Sequence, residues 1–423
     1  MTSEVSCSRV FRGGREGRKL TDGHLLVAAN LARYAAQAVA FFVAARWFGA
    51  AIAGHLALAL AITAPVFVVA NLGLRNLYLT LSPRAPHSAY VRVRTWWSML
   101  AVAVSIALAL LSPGLPLILV ALVAVSKAID AVSDFYIAVA QVRDSVSRLA
   151  LSFIVQPAAA AIGVAVAIAL DLSLVTYSLL GVLLPSLVTQ VWLWIPGGSE
   201  YFRSLRVRSP EKQEIRIVRS GIAVGLSNGV VALSASIPQV ALGVWATSAD
   251  VSRYVVLTYI PVALELLLNP IIQSWLGDVQ RAGGRLDDPV RTAIGLAGRT
   301  LRRVGVIVVA AGLAVYFAGP LVLGPDYTYA WHEVALACLA ACGLPFTFAF
   351  MASLTVLRKY RVVLWVNLGA VVVGLLSALV LVPAFGLLGG VLDLLVVQAV
   401  RLLGSTWALH AVQTANGRGD RAA

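Results

Sequence analysis

The stretch from Leu115 to Gln141 reads LPLILVALVAVSKAIDAVSDFYIAVAQ. It is long enough for a helix to cross the hydrocarbon layer, which takes about 20 residues at 1.5 Å each. Lys127, Asp130, Asp134 and Gln141 interrupt it at i, i+3, i+7 and i+14, a spacing that stacks them on one helical face. Lys127 and Asp130 fall halfway through the bilayer, too deep for an aspartate to reach the headgroups. An ionised group there costs about 2.5 to 3.5 kcal/mol even on the lenient insertion scale, so it needs a cavity or a partner. Two readings follow. Either Lys127 and Asp130 neutralise each other within the helix while Asp134 pairs with Arg33 of another span, or the face lines a transport path.

The rest of the chain is of the same material. Of 423 residues, 60% are hydrophobic and 12% charged, where a soluble protein carries about a quarter charged residues. That ratio excludes disorder, collagen, a disulfide scaffold and a cytosolic enzyme. Cys7, Cys338 and Cys342 form neither a disulfide framework nor a metal cluster. Outward from Leu115–Gln141, the first half carries apolar runs at Leu25–Ala45, Leu56–Tyr78, Trp96–Leu111, Leu149–Leu170 and Leu172–Trp194. The second half carries Ile217–Leu242, Tyr254–Trp275, Val304–Leu323, Val334–Leu357, Val362–Val382 and Leu387–Trp407. The expectation is an all-α polytopic membrane protein of about 12 transmembrane helices. Its parts are a basic tail (1–24), a six-helix lobe (25–195), a linker (196–216), a second six-helix lobe (217–412) and a tail (413–423).

Lys and Arg set the orientation. Of 33, 28 fall in the tails and in alternate connections, all on one side of this arrangement. Both termini are therefore expected in the cytoplasm. The net charge of +14 follows from insertion topology and attraction to anionic lipid, not from nucleic-acid binding. Connections on the other side are short, the longest being roughly ten residues between Leu242 and Tyr254, so no catalytic domain fits there. No metal-ligand spacing, nucleophile triad or nucleotide loop is present, and neither an enzyme nor a cofactor is expected. Tryptophans near span ends (Trp96, Trp97, Trp192, Trp194, Trp275) read as an aromatic belt.

The segment AAIAGHLALALAITAP (50–65) lines up without a gap on ATSADVSRYVVLTYIP (246–261), each in the second span of its half. This suggests two parallel repeats with a site between them. In the first span Asn30, Arg33, Tyr34 and Gln37 share a face, with Arg33 about 12 Å deep. They read as cavity lining, against the alternative of an arginine snorkelling to the headgroups. In the eighth span Glu265 and Asn269 share a face near the midplane without an intrahelical partner for Glu265. Arg75 follows Asn71 by one turn and either extends the polar path or marks the interface. Asp393 and Arg401 lie near opposite surfaces and are expected to reach water.

ARWFGAAIAGHLALALAITAP with ANLGLR (45–65, 70–75), SKAIDAVSDFYIAVAQVRD (126–144) and LVPAFGLLGGV (381–391) after LRKYRVVLWVN (357–367) occur in order across almost the whole chain. Together they resemble Wzx-type polysaccharide flippases, in the MOP superfamily that also holds MATE antiporters and lipid II flippases. The resemblance implies two six-helix lobes in a V with a central cavity, alternating access, and an undecaprenyl-pyrophosphate-linked oligosaccharide as substrate. It implies substrate contacts from Arg33, Asn30, Gln37, Arg75 and Lys127, since a guanidinium binds phosphate oxygens in pairs. It implies coupling to H+ or Na+ at Asp130, Asp134 and Glu265, a plasma-membrane location, and work alongside a glycan polymerase and glycosyltransferases. The intramembrane charges number three cations against four anions, Arg33, Lys127 and Arg401 against Asp130, Asp134, Glu265 and Asp393. That slight anionic excess suits a MATE-like antiporter of organic cations, the rival reading.

Overall fold

Gly49 turns the first two expected spans into a single run of helix with a corner in it. Helix α1 covers Glu16–Ala70, and at Gly49 the backbone leaves helical geometry (φ 79°, ψ 169°). Glycine reaches that conformation without the clash a Cβ would bring. The computed structural model describes residues 16–80, 85–112, 114–142, 146–194, 210–281 and 288–419; the side chains of 16–37, 140–150 and some others fall outside the description.

After α1 come α2 (Leu74–Thr80), α3 (His87–Leu110), α4 (Leu117–Val142), α5 (Val146–Ala169), α6 (Leu174–Ser178), a π-helical turn (Leu179–Leu183) and α7 (Leu184–Trp194). The second half holds α8 (Glu211–Trp245), α9 (Ser248–Arg281), α10 (Pro289–Leu323), a short 3-10 turn (Pro325–Tyr327), α11 (Trp331–Val356), α12 (Tyr360–Phe385) and α13 (Leu387–Gly419). Nine helices among the described residues are long and apolar enough to cross a membrane, which makes this a multi-pass membrane protein. The helix α4, with its three ionisable residues, is not among the nine, and α1 is counted once despite its corner.

Two expected loops prove to be helix. The ten-residue link between the seventh and eighth spans shrinks to Ala246 and Thr247, because α8 runs to Trp245 and α9 starts at Ser248. Much of the stretch between the apolar runs Tyr254–Trp275 and Val304–Leu323 is helical, since α9 reaches Arg281 and α10 starts at Pro289 behind an Asp288 cap. Its arginines suggest a loop only because positive charge marks the membrane edge, and a helix projecting past that edge carries it equally well.

Burial divides the bundle unevenly. One large core joins both halves at the end where α3, α8, α10 and α12 finish; it includes Phe41, Leu58, Leu119, Tyr177, Leu242, Leu257, Val308, Leu344 and Val382. At the other end, where α13 finishes, the packing splits in two. Leu74, Tyr90, Phe135 and Val139 form a cluster of the first half with Ile217 from α8, while Ile272, Leu296, Phe350 and Leu409 form one of the second half. The halves thus share one core at one end; at the other, a first-half core that takes in Ile217 of α8 stands apart from a second-half core.

Small residues close the shared end. A Cβ on Gly54 of α1 would stand 1.7 Å from the Ser248 carbonyl oxygen at the start of α9, so the two backbones touch there. Asp326, in the 3-10 turn, accepts a hydrogen bond from the Ala50 N–H at 3.5 Å, capping the second arm of α1 from the opposite half. Nearby, Ser252 and Tyr327 hydroxyls lie 2.6 Å apart. Burial pushes the Tyr327 phenol up to about 12, against the opposing pull of the Ser252 bond. Arg253 pairs with Asp250 (3.6 Å) and Glu333 (3.9 Å), donates to the Thr328 carbonyl and lies over the Tyr329 ring.

Candidate functional site

A cavity of about 140 Å3 lies within the first half and borders the second at Tyr259. The helix α4 supplies Ser126, Lys127 and Asp130, while α5 supplies Gln156 and Pro157. Phe41 of α1, Tyr177 of α6 and Tyr259 of α9 make an aromatic side. Tyr259 belongs to the second half, and its ring meets Phe42 edge-on at 5.0 Å.

Local backbone irregularity shapes this pocket. The π turn at Leu179–Leu183 sits against α5 because Gly163 lets the Leu180 carbonyl approach to where a Cβ would be 2.2 Å away. A π turn leaves carbonyls out of register, and such bulges gather at functional sites. Here Ser126 Oγ donates to the Val182 carbonyl at 3.1 Å and lies 2.9 Å from Ser186 Oγ. Gln156 Nε2 donates to Asp130 Oδ1 at 3.2 Å, and Ser133 donates to Gln190 Oε1 deeper between α4 and α7. Lys127 and Asp130, on neighbouring turns, therefore face a largely apolar pocket whose hydrogen-bonding groups include Ser126, Gln156 and Ser186.

Asp134, one turn further along α4, belongs to a different assembly. Its carboxylate lies 3.5 Å from Arg75 Nη1 and 3.5 Å from Arg94 Nη2. Arg94, 1% exposed, also donates to Asn71 Oδ1 at 2.5 Å and to the Asn71 carbonyl at 3.4 Å. The pairing reading matched Asp134 with Arg33, whose side chain lies outside the described residues; among the described residues its partners are Arg75 and Arg94. Arg94 counts as a loop arginine by sequence but is one of the largest fully buried side chains, held on α3. Arg92, two residues earlier, points elsewhere and pairs with Glu214 of α8 at 3.3 Å.

The second half has its own buried polar groups, and two expectations fail there. Arg401 is 9% exposed, so it does not reach water. It donates to Ser234 Oγ of α8 at 2.9 Å and lies close enough to Glu265 for the two to attract each other. Asp393 is 0% exposed; Ser377 donates to its Oδ1, its Oδ2 has no hydrogen-bond partner among the described residues, and Tyr254 is a near neighbour. Distance along a helix to the membrane edge measured the reach of both residues, but their rotation about α13 turns them inward. Glu265 does not line the 140 Å3 cavity.

The side chains of Asn30, Arg33, Tyr34 and Gln37 lie outside the described residues. Of the other expected site residues, Lys127 and Asp130 share the cavity, Arg75 and Asp134 share the ion-paired cluster, and Glu265 stands apart with Arg401. Gln156, Tyr177, Tyr259 and Arg94 were missed. Gln156 stands one residue before Pro157, a helix-interior proline, and that was the only local signal for any of them.

Two helical halves meet around one shared core, with a pocket of the first half beside it. The chain is similar to the lipid II flippase MurJ in an inward closed conformation, with TM-score 0.66 and 11% identity over 91% of this chain and 87% of that one. It is similar to an inward-facing multidrug resistance MATE family transporter of the MOP superfamily, with TM-score 0.60 and 12% identity over 90% and 95%. An outward-facing structure of such a transporter gives TM-score 0.59 and 13% identity over 94% and 96%. By sequence, no family model and no curated protein matches. What these likenesses share with this chain is the fold.

Proposed function

We propose that the protein is a Wzx-type flippase of the plasma membrane, carrying an undecaprenyl-pyrophosphate-linked oligosaccharide between leaflets by alternating access, without catalytic chemistry. The observation that carries this reading is the pocket of Lys127, Asp130 and Gln156 in the first half, walled on one side by Tyr259 of the second half beside the core the halves share. Alternating access requires the halves to rock against each other so that this pocket opens to one side of the membrane at a time. At about 140 Å3 the pocket is smaller than the roughly 300–1,000 Å3 of a typical ligand site. An oligosaccharide head enters only after the halves move apart.

Twelve crossings are counted if the arms of α1 are taken separately, α6, the π turn and α7 as one, and α4 and α5 included; both termini are then cytoplasmic. Arg33, Asn30 and Gln37 on α1 and Arg75 and Lys127 nearby contact the pyrophosphate and sugar. Asp130, Asp134 and Glu265 couple transport to H+ or Na+, and the unsatisfied Asp393 Oδ2 adds a fourth candidate. A glycan polymerase and glycosyltransferases work beside the protein. The parallel lobes 25–195 and 217–412, joined by linker 196–216, are the moving bodies.

Asp130→Asn keeps the shape of the carboxylate and removes its charge. It is expected to leave the protein inserted and to lower delivery of lipid-linked glycan to the outer leaflet at least about tenfold, a loss equivalent to about 1.4 kcal/mol. A deletion strain complemented with this variant and assayed for surface glycan reads the effect, and normal export would remove the pocket from the path. The aromatic side formed by Phe41, Tyr177 and Tyr259 beside Asp130 favours the second reading, a MATE-like antiporter of organic cations. Drug sensitivity of the deletion strain with glycan export intact would select it.

A further inference from the structure

The helix α10 is longer than a membrane requires. Its 35 residues extend about 52 Å at 1.5 Å each, against about 30 Å of hydrocarbon. Counting back about 20 residues from Leu323 places the membrane edge near Val304. Arg302 and Arg303 then stand at the headgroup boundary, with Arg299 one turn beyond. All three are exposed. None makes an ion pair among the described residues; Arg299 Nε donates only to its own helix, at the Gly295 carbonyl (3.2 Å).

Their direction matters more than their number. At about 100° per residue the three arginines occupy a sector of about 100° on α10, and Val306, Leu313, Phe317 and Leu321 fall in the same sector. Those four are 74%, 53%, 65% and 80% exposed, and α10 is the least buried of the nine spanning helices. The opposite face, with Ala297, Val304, Val308 and Gly312, packs into the protein. One continuous strip is therefore apolar where acyl chains lie and triply cationic at the height of their headgroups.

We propose that this strip is a seat for an anionic phospholipid, its acyl chains along Val306–Leu321 and its phosphodiester held by Arg299, Arg302 and Arg303. Charge complementarity and the unbroken run from apolar to basic surface on one helical face support this occupant. Arginines needed only to orient insertion have no reason to share the azimuth of the lipid-facing residues. This inference is independent of what the protein transports.

The test uses the full chain in phosphatidylcholine nanodiscs with spin-labelled phosphatidylglycerol or phosphatidylcholine as probe. Electron paramagnetic resonance reads the motionally restricted fraction of each. The expected selectivity for phosphatidylglycerol is roughly tenfold, falling toward one in R299Q/R302Q/R303Q and as NaCl rises from about 0.05 to 0.5 M. R299K/R302K/R303K should keep most of it. R291Q, about 12 Å further from the membrane than Arg299, should keep all of it. Should the glutamine variant fail to insert, the salt series on the wild-type chain and the lysine variant still decide. Equal retention of both lipids, or selectivity unchanged in the glutamine variant, overturns the proposal. Displacement by millimolar inorganic phosphate also overturns it, in favour of a site for a soluble anion.

Discussion

Arg94→Ala is expected to lower stability by about 2–4 kcal/mol, among the largest losses available to one side chain here. The guanidinium is buried, and its removal takes a donor from the Asn71 side chain and leaves Asp134 with Arg75 as its ion-pair partner among the described residues. It also leaves an arginine-sized hole on the buried face of α3. Asp134 is about one-third exposed, so water repays part of the loss, which keeps the figure below that of a fully enclosed pair. Arg94→Lys should recover little, because a single ammonium cannot reach Asn71 and Asp134 together as the forked group does. Thermal unfolding of the detergent-solubilised protein measures all three. A double-mutant cycle with Asp134→Ala should return a coupling of about 1 kcal/mol or more. A cycle returning zero would mean the two residues are merely neighbours.

Gly54→Ala is expected to destabilise by about 2–3 kcal/mol, where the same change in an ordinary helix interior would stabilise by up to about 1 kcal/mol. The sign reverses because the new Cβ would meet backbone, the Ser248 carbonyl oxygen at 1.7 Å and its carbon at 2.4 Å, and backbone cannot step aside by changing rotamer. The halves have to separate at their shared end. Cysteine accessibility near Ser248 should therefore rise in Gly54→Ala and not in Gly295→Ala, where nothing stands within 4 Å of the added carbon. Unchanged labelling with a lowered unfolding midpoint would place the strain inside one half only.

The apolar runs were legible because hydrocarbon accepts little else, and the face of α4 was legible because a period of three to four residues survives in any helix. Arg94 was not. It sits in the pair Arg92 and Arg94 at a span entrance, where arginines are expected, and residues two apart point about 200° away from each other. One of them had to turn inward, and only the packing of α3 says which. Arg401 and Asp393 failed for the same reason, since depth was readable and azimuth was not. The closeness of Gly54 to Ser248 and the wall contributed by Tyr259 come from chain segments about two hundred residues from their partners. No local pattern encodes such meetings. The pairing of α4 with α5 through Asp130 and Gln156 was equally hidden, although each residue stands in plain view in its own helix.

The arm of α1 that begins at Ala50 does not finish its own first turn. The acceptor for its leading amide is Asp326, more than 270 positions downstream and in the other half. That helix start is complete only while the two halves touch, so parting them hands the amide to the solvent. Winding of a helix terminus and shutting of a passage become a single event, and whatever frays one loosens the other.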